Sequence, residues 1–434
     1  MDRRRRPRRP DHPRHRRHVR ALHQRPHQGH HAPGGEPHGA ERRAVLDALL
    51  RAPAPRGAPR ARGGHRRRGP PRALRAHHRR RLFERAAAGH SRVSSLAQRT
   101  TLRLGGAPRS LVDAHTEAQL IDAVAGCDAA GEAVFVLGGG SNLVAASGPI
   151  DTAVVAVKTR GVTWRGDTAL VAAGHPWDAF VEEAVDRGLY GVESLSGIPG
   201  TVGATPIQNV GAYGQEVAEV ITAVRCYDRV ARAVVTLDNA ACGFRYRDSA
   251  FKSEAPGRYV VLSVDFALRR AAGSGRVAGA SPAEVRASVL AQRRAKAMVL
   301  DPDDPDTVSA GSFFTNPFVT PECAAEIANR AVAEGRLARQ DLMPRWPEPD
   351  GRVKLAAGWL IEQSGLGRGF ALHPDAGARL STRHALALTH QGGGSEALIA
   401  LARHVRATVR ARWGVDLVPE PVFLGFSSAD PTRG

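Results

Sequence analysis

An α+β fold behind an arginine-rich arm is the fold class the sequence predicts, and three observations predict it. From about residue 93 onward, short apolar runs alternate with helical periodicities. One stretch, Ser194–Glu216, is too rich in glycine for either kind of element. Composition also changes abruptly at about residue 90.

The first 90 residues hold 26 arginines, six acidic residues and 12 of the 18 histidines, with no Lys, Ser, Thr, Asn, Ile, Tyr, Cys or Trp. The whole formal net charge of +20 therefore sits in this arm, and the remainder is neutral. Apart from Val45–Leu50, patterned as a helical turn, there is too little apolar material to bury a core, so residues 1–92 are expected to be disordered. Basic nucleic-acid-binding tails usually mix Lys with Arg and include Ser or Gly. A lysine-free Arg/Pro/His/Ala/Gly mixture instead has the composition of GC-rich DNA read outside its coding frame, with an authentic start near Val93. A genuine basic arm for nucleic acid or an acidic surface is the alternative. The histidines show no repeated ligand spacing, so no metal site is expected.

With 434 residues, 42% of them hydrophobic, the chain can hold two or three domains with real cores. No run of 18 apolar residues exists, and no apolar signal-peptide core follows the arginines, so a cytoplasmic protein without a membrane partner is expected. Cys127, Cys226, Cys242 and Cys323 form no CxxC pair, which suits reduced thiols.

In chain order, Thr116–Ala130 places Leu120, Ile121, Val124 and Ala125 on one helical face, with Thr116 and Glu117 suited to its start. Val134–Leu137 is a short apolar strand that runs into GGGSN at Gly138–Asn142, as a phosphate-binding loop should. The glycines are contiguous and no helix begins behind Asn142, so this is not the dinucleotide fingerprint GxGxxG. Strands are expected at Val154–Val157 and Leu170–Ala173, then a helix over Trp177–Arg187 with Phe180, Val181, Ala184 and Val185 inward. Ser194–Glu216 carries Gly197, Gly200, Gly203, Gly211 and Gly214 and reads as a folded loop. Its glycines let backbone N–H groups converge on an anion, and a flavin or nucleotide pyrophosphate would suit it. A turn-rich surface loop is the alternative. Gln208, Asn209 and Tyr213, set between the glycines, favour a ligand.

From about Ala97 to Gly425 the sequence resembles the UDP-N-acetylenolpyruvoylglucosamine reductase (UDP-N-acetylmuramate dehydrogenase) family. The resemblance rests on VLGGGSNLV at Val136–Val144, GIPGTVGATPIQNVGAYG at Gly197–Gly214, FRYRDSAFK at Phe244–Lys252, SAGSFFTNP at Ser309–Pro317, VKLAAGWLIEQSG at Val353–Gly365 and PEPVFLG at Pro419–Gly425. Six stretches in family order are specific; the first two alone would indicate only the wider group of enzymes on the same FAD-binding fold.

The resemblance implies a PCMH-type FAD-binding domain of two α+β subdomains at 93–275 and an α+β substrate-binding domain at 285–426. It implies FAD as cofactor and NADPH as hydride donor, reducing the enolpyruvyl group of a UDP-sugar in peptidoglycan precursor synthesis, and a monomer without nucleic acid. FAD contacts would come from Leu137, Gly138, Gly139, Gly140, Ser141 and Asn142, and from Ile198, Pro199, Gly200, Thr201, Gly203, Ala204, Gln208, Asn209 and Gly211. Arg247, Ser312 and Glu420 match the catalytic positions. The chemistry explains each: the guanidinium fork fits a carboxylate that gains charge, a protonated Glu420 can donate to the same intermediate, and Ser312 supplies a proton. Outside this match, an Arg247–Asp248 surface ion pair and a capping or edge-strand Glu420 would be the ordinary readings. Tyr213, Arg294, Lys296, Asn316, Lys354 and, in the strand expected for STRHALALTH, His384 are the substrate candidates, with RRAK otherwise a solvated helix face. Phe313 and Phe314 read as core.

One departure stands out. The segment between Leu268 and Glu284 is shorter than in many relatives and lacks their tyrosine that folds over bound substrate, which puts substrate affinity in doubt. Two other classes stay open: a carbohydrate or alcohol oxidase on the same FAD fold, and a nucleic-acid-binding protein acting through the basic arm.

Overall fold

The computed structural model describes residues 95–271 and 280–433. The expectations for residues 1–92, and the middle of the short segment before Glu284, lie outside the described residues.

The ordered chain opens with the 3-10 turn Leu96–Arg99, capped by the Ser95 hydroxyl, with Leu96 fully buried. Strand β1 (Pro108–Ala114), helix α1 (Glu117–Ala130), β2 (Val134–Leu137), β3 (Leu143–Ala145) and β4 (Ile150–Val157) follow. β1, β4 and β2 form a parallel sheet in that order, and parallel pairing requires a crossover such as α1. Thr116 and Gln119 make a capping box at the start of α1, and Gly131, at φ 69°, ends it. The expected strand at Val154 begins four residues earlier, at Ile150, because its first half pairs with β1.

β5 (Val162–Arg165), β6 (Thr168–Ala172), helix α2 (Trp177–Asp186), the short pair β7 (Gly211–Ala212) and β8 (Gln215–Glu216), then β9 (Ile221–Asp228), β10 (Ala233–Asp238) and β11 (Tyr259–Ala267) build the next layer. Five of these strands form an antiparallel sheet in the order β10-β9-β11-β6-β5. The buried face of α2 is the expected one, Phe180, Val181, Ala184 and Val185, joined by Trp177. The Phe180 ring lies 4.8 Å from that of Phe266 on β11, tilted by 35°. Burying such a ring contributes about 1.5–3 kcal/mol.

Helix α3 (Pro282–Ala295) comes next and packs on this layer, Arg286 bonding Asp178 of α2 at 2.6 Å. The remaining elements are β12 (Ser309–Ser312), β13 (Phe318–Val319), α4 (Pro321–Ala333), β14 (Arg345–Pro347), β15 (Val353–Leu355), α5 (Ala357–Gln363), β16 (Ala378–Leu380), β17 (Ala387–His390), α6 (Gly394–Trp413) and β18 (Val422–Leu424). They form two small sheets, β12-β17-β16 and β13-β15-β14, around a second core that includes Phe313 and Phe314 and takes in Leu102, Leu104 and Val144 from the first part of the chain. The strand expected over STRHALALTH is confined to Ala387–His390. Residues 381–384 turn instead, since Asp306 accepts from the backbone and hydroxyl of Thr382, and Ala387 N–H closes on the His384 carbonyl. Last, β18 lies parallel to β3, Val422 opposite Leu143. This pairing returns the chain end to the glycine loop.

Candidate active site

Two glycine loops meet behind β2. Gly138–Gly140 follows β2 and abuts Gly200: a Cβ on Gly139 would lie 2.6 Å from the Gly200 Cα, and one on Gly140 would lie 1.9 Å from the Arg99 carbonyl. Backbone therefore packs on backbone, which only glycine permits. Ser141 Oγ donates to the Pro199 carbonyl at 2.9 Å and stitches the loops together. Among the described residues, the N–H groups of Gly139, Gly140 and Ser141 donate to no protein acceptor. Three successive N–H groups without a protein acceptor fit a pyrophosphate, so these residues fit FAD. As expected, no helix follows Asn142; the chain enters β3.

Beyond the loops lies a partly buried cation and carboxyl, their side chains 20% and 14% exposed. Arg247 Nε is 3.2 Å from Glu420 Oε1, which also accepts from Gln208 Nε2 at 3.0 Å. Gln208 in turn accepts from Asn142 Nδ2 at 2.8 Å, so a chain of side chains links Glu420 to the glycine loop. The other arms of the guanidinium reach the Gly211 carbonyl at 2.5 Å and the Asn209 carbonyl at 3.5 Å. Burial raises the pKa of Glu420, and Arg247 and then Lys252 oppose this, with a net upward shift. The ion pair to Asp248 is made by Arg245, not Arg247.

Ser312 is the last residue of β12, opposite Ala387. The Phe313 carbonyl beside it accepts the Glu420 N–H at 2.9 Å, and Phe314 bridges to Pro419, so Ser312 and Glu420 hang from one short ladder. Phe313 and Phe314 are buried, as expected.

The remaining candidates divide. Asn209, buried and at φ 45°, has its side chain engaged by Glu216 at 2.6 Å, the Arg245 carbonyl and the Ala218 N–H, so it braces the loop from within. Asn316 Oδ1 accepts the Ala357 N–H at the start of α5. Lys354 pairs with Glu348 at 2.6 Å, its ammonium 4.9 Å from the Tyr246 ring. Lys296 lies 6.0 Å from the Tyr213 ring, and its charge together with burial lowers the His384 pKa to about 4, burial contributing most. Arg294 is exposed; its neighbour Arg293 is the one turned inward, bonded to the Met298 carbonyl at 2.7 Å and close to Tyr213.

Comparison with known proteins gives this arrangement its family. A sequence model described as FAD binding domain matches residues 108–236, and one described as UDP-N-acetylenolpyruvoylglucosamine reductase, C-terminal domain, matches residues 303–424. The UDP-N-acetylenolpyruvoylglucosamine reductase of Streptomyces coelicolor is 46% identical over 348 residues, covering 76% of this chain and 89% of its own. The chain belongs to the UDP-N-acetylenolpyruvoylglucosamine reductase family. The reductase of Thermobifida fusca is likewise 46% identical, over 76% of this chain and 97% of its own. The crystal structure of the Thermus caldophilus reductase shares the fold, with a TM-score of 0.54 at 23% identity over 76% of this chain and 97% of that one.

Within this family fold, Tyr246 was missed in the sequence. It stands between Arg247 and Phe318, with burial raising its pKa. An aromatic residue directly before the arginine of FRYRDS was the available signal. Glu216 was missed too; burial raises its pKa while it holds Asn209. No helix among the described residues is long and apolar enough to cross a membrane.

Proposed function

We propose that this chain reduces the enolpyruvyl group of UDP-N-acetylenolpyruvoylglucosamine to UDP-N-acetylmuramate, with FAD and NADPH, as a cytoplasmic monomer in peptidoglycan precursor synthesis. The observation that carries the reading is the partly buried Arg247–Glu420 pair beside two abutting glycine loops. Bound FAD supplies hydride taken from NADPH to the methylene carbon. Addition there turns the carbon bearing the carboxylate into an enolate, and its charge spreads onto that carboxylate. Arg247 binds the carboxylate with its planar donor fork and is already oriented by three protein acceptors. Glu420, favoured in its neutral form by burial, donates to the enolate oxygen. The Ser312 hydroxyl then protonates the carbon, and solvent returns a proton to the serine oxygen.

The FAD-binding part, 93–275, and the substrate-binding part, 285–426, would meet at this pair. Tyr213, Lys296, His384, Lys354 and Asn316 are the side chains we assign to the sugar nucleotide: Lys296 lies beside the Tyr213 ring and acts on His384, and Lys354 stands over the Tyr246 ring next to Arg247. The test is the absorption spectrum of the purified protein: a flavin band bleached by NADPH and restored by the enolpyruvyl sugar nucleotide. Reoxidation by oxygen alone, with the sugar nucleotide ineffective, would point to an oxidase instead.

A further inference from the structure

Arg247 occupies an uncommon place for an arginine. It is the third residue of the turn Arg245–Asp248, closed by Arg245 N–H to the Asp248 carbonyl at 3.0 Å and Asp248 N–H to the Arg245 carbonyl at 3.1 Å. Its φ is 52°, a left-handed conformation that this turn position normally assigns to glycine or asparagine. Non-glycine residues stay there only when their surroundings over-determine them, and such strain gathers at functional sites. The guanidinium contacts fix where the side chain ends, but they do not hold the backbone.

The single turn Ala250–Glu254 folds back over this point. Lys252 Nζ donates to the Arg247 carbonyl at 2.9 Å. Ser249 fixes the other side of the loop by donating to the Ile207 carbonyl in the glycine stretch. We propose that Lys252 is a positioning residue for enolpyruvyl reduction, holding the Arg247 backbone in the left-handed conformation that aims its guanidinium at the substrate carboxylate. The ammonium is exposed, and among the described residues it forms no ion pair, so this carbonyl is its protein partner. Its positive charge also acts on Glu420, the second member of the pair.

The inference rests on the reading of Arg247 given above, and a double-mutant cycle in the FAD-loaded full chain separates the two. Lys252→Met keeps the apolar stem and removes the donor. Its flavin should be reduced by NADPH within about twofold of the normal rate, and reoxidised by the enolpyruvyl sugar nucleotide about 10- to 100-fold more slowly, the range for losing a charged donor to a carbonyl. Lys252→Arg, which keeps a donor, should recover most of that rate. In an Arg247→Ala background Lys252→Met should add less than about a factor of two, because a residue acting only through Arg247 has nothing left to position. Full additivity in that background would mean that Lys252 acts by a route other than Arg247, on the ligand directly or through Glu420, and would overturn the proposal. So would equal slowing of both half-reactions, which marks general damage to the loop, or reoxidation within about threefold of normal. If Arg247→Ala alone left reoxidation intact, the reading of Arg247 itself would fail.

Discussion

Replacing Arg247 with lysine tests the centre of the site while preserving its charge. The guanidinium spreads over three acceptors, Glu420 Oε1 at 3.2 Å and the carbonyls of Gly211 at 2.5 Å and Asn209 at 3.5 Å. An ammonium is a point charge and cannot span these acceptors while offering two parallel N–H groups to a carboxylate. At least one charge-assisted bond to the substrate carboxylate is lost, worth about 1.5–3 kcal/mol, or roughly 10- to 150-fold. The carboxylate gains charge as hydride adds, so the loss is larger in the transition state, and removing one oxyanion donor costs about 10²–10³. Reoxidation of NADPH-reduced flavin by the enolpyruvyl sugar nucleotide should therefore slow about 10²–10³-fold, while reduction by NADPH stays near normal. Stopped-flow absorbance of the flavin reads each half separately. Reoxidation within about threefold of normal would refute the claim that the fork, rather than the charge, is what the site uses.

Ser312→Ala should likewise spare flavin reduction and slow reoxidation about 10²–10⁴-fold, the usual contribution of a positioned acid, with substrate binding little changed; equal slowing of both halves would mean that the serine only shapes the end of β12. For Glu420, whose pKa lies above the ordinary carboxyl value of 4.5, reoxidation should fall as pH rises through that raised pKa, and Glu420→Gln should flatten this limb. Because the folded state binds the Glu420 proton more tightly than the unfolded chain does, the group's stabilisation is complete below the unfolded pKa and is lost as pH rises through the folded one. Urea unfolding should then show Glu420→Gln gaining on the parent chain as pH increases. Gly139→Ala would place a Cβ 2.6 Å from the Gly200 Cα, forcing the loops apart, and should weaken FAD at least about tenfold by flavin fluorescence titration; unchanged affinity would show that the loops do not form the cofactor cradle.

Much of this arrangement could be read from local sequence because local physics sets it. The 3.6-residue periodicity fixes the inward face of α2, whereas on α1 burial falls on Leu120, Ala123, Val124 and Cys127 and leaves Ile121 and Ala125 of the expected face only partly covered. Contiguous glycines at Gly138–Gly140 announce a close backbone approach, and the paired phenylalanines Phe313 and Phe314 announce a core. Extension of β4 back to Ile150 depended on a partner strand, and the turn at 381–384 depended on Asp306, so neither boundary was visible in periodicity.

Only the tertiary structure decided which side chains meet. Pairing of β18 with β3 carries Glu420 to Gln208 across 212 residues of sequence, and no short-range pattern encodes a contact of that span. The left-handed turn at Arg247 decides where its guanidinium ends, and the Lys252 contact depends on a fold-back that spacing does not disclose. On α3 the helical repeat leaves Arg293 and Arg294 equivalent until neighbours bury one of them; packing against Gly197 and Tyr213 turns Arg293 inward. Residue types set the available chemistry, but burial and register set which groups are charged, which are occupied and which remain free for a ligand.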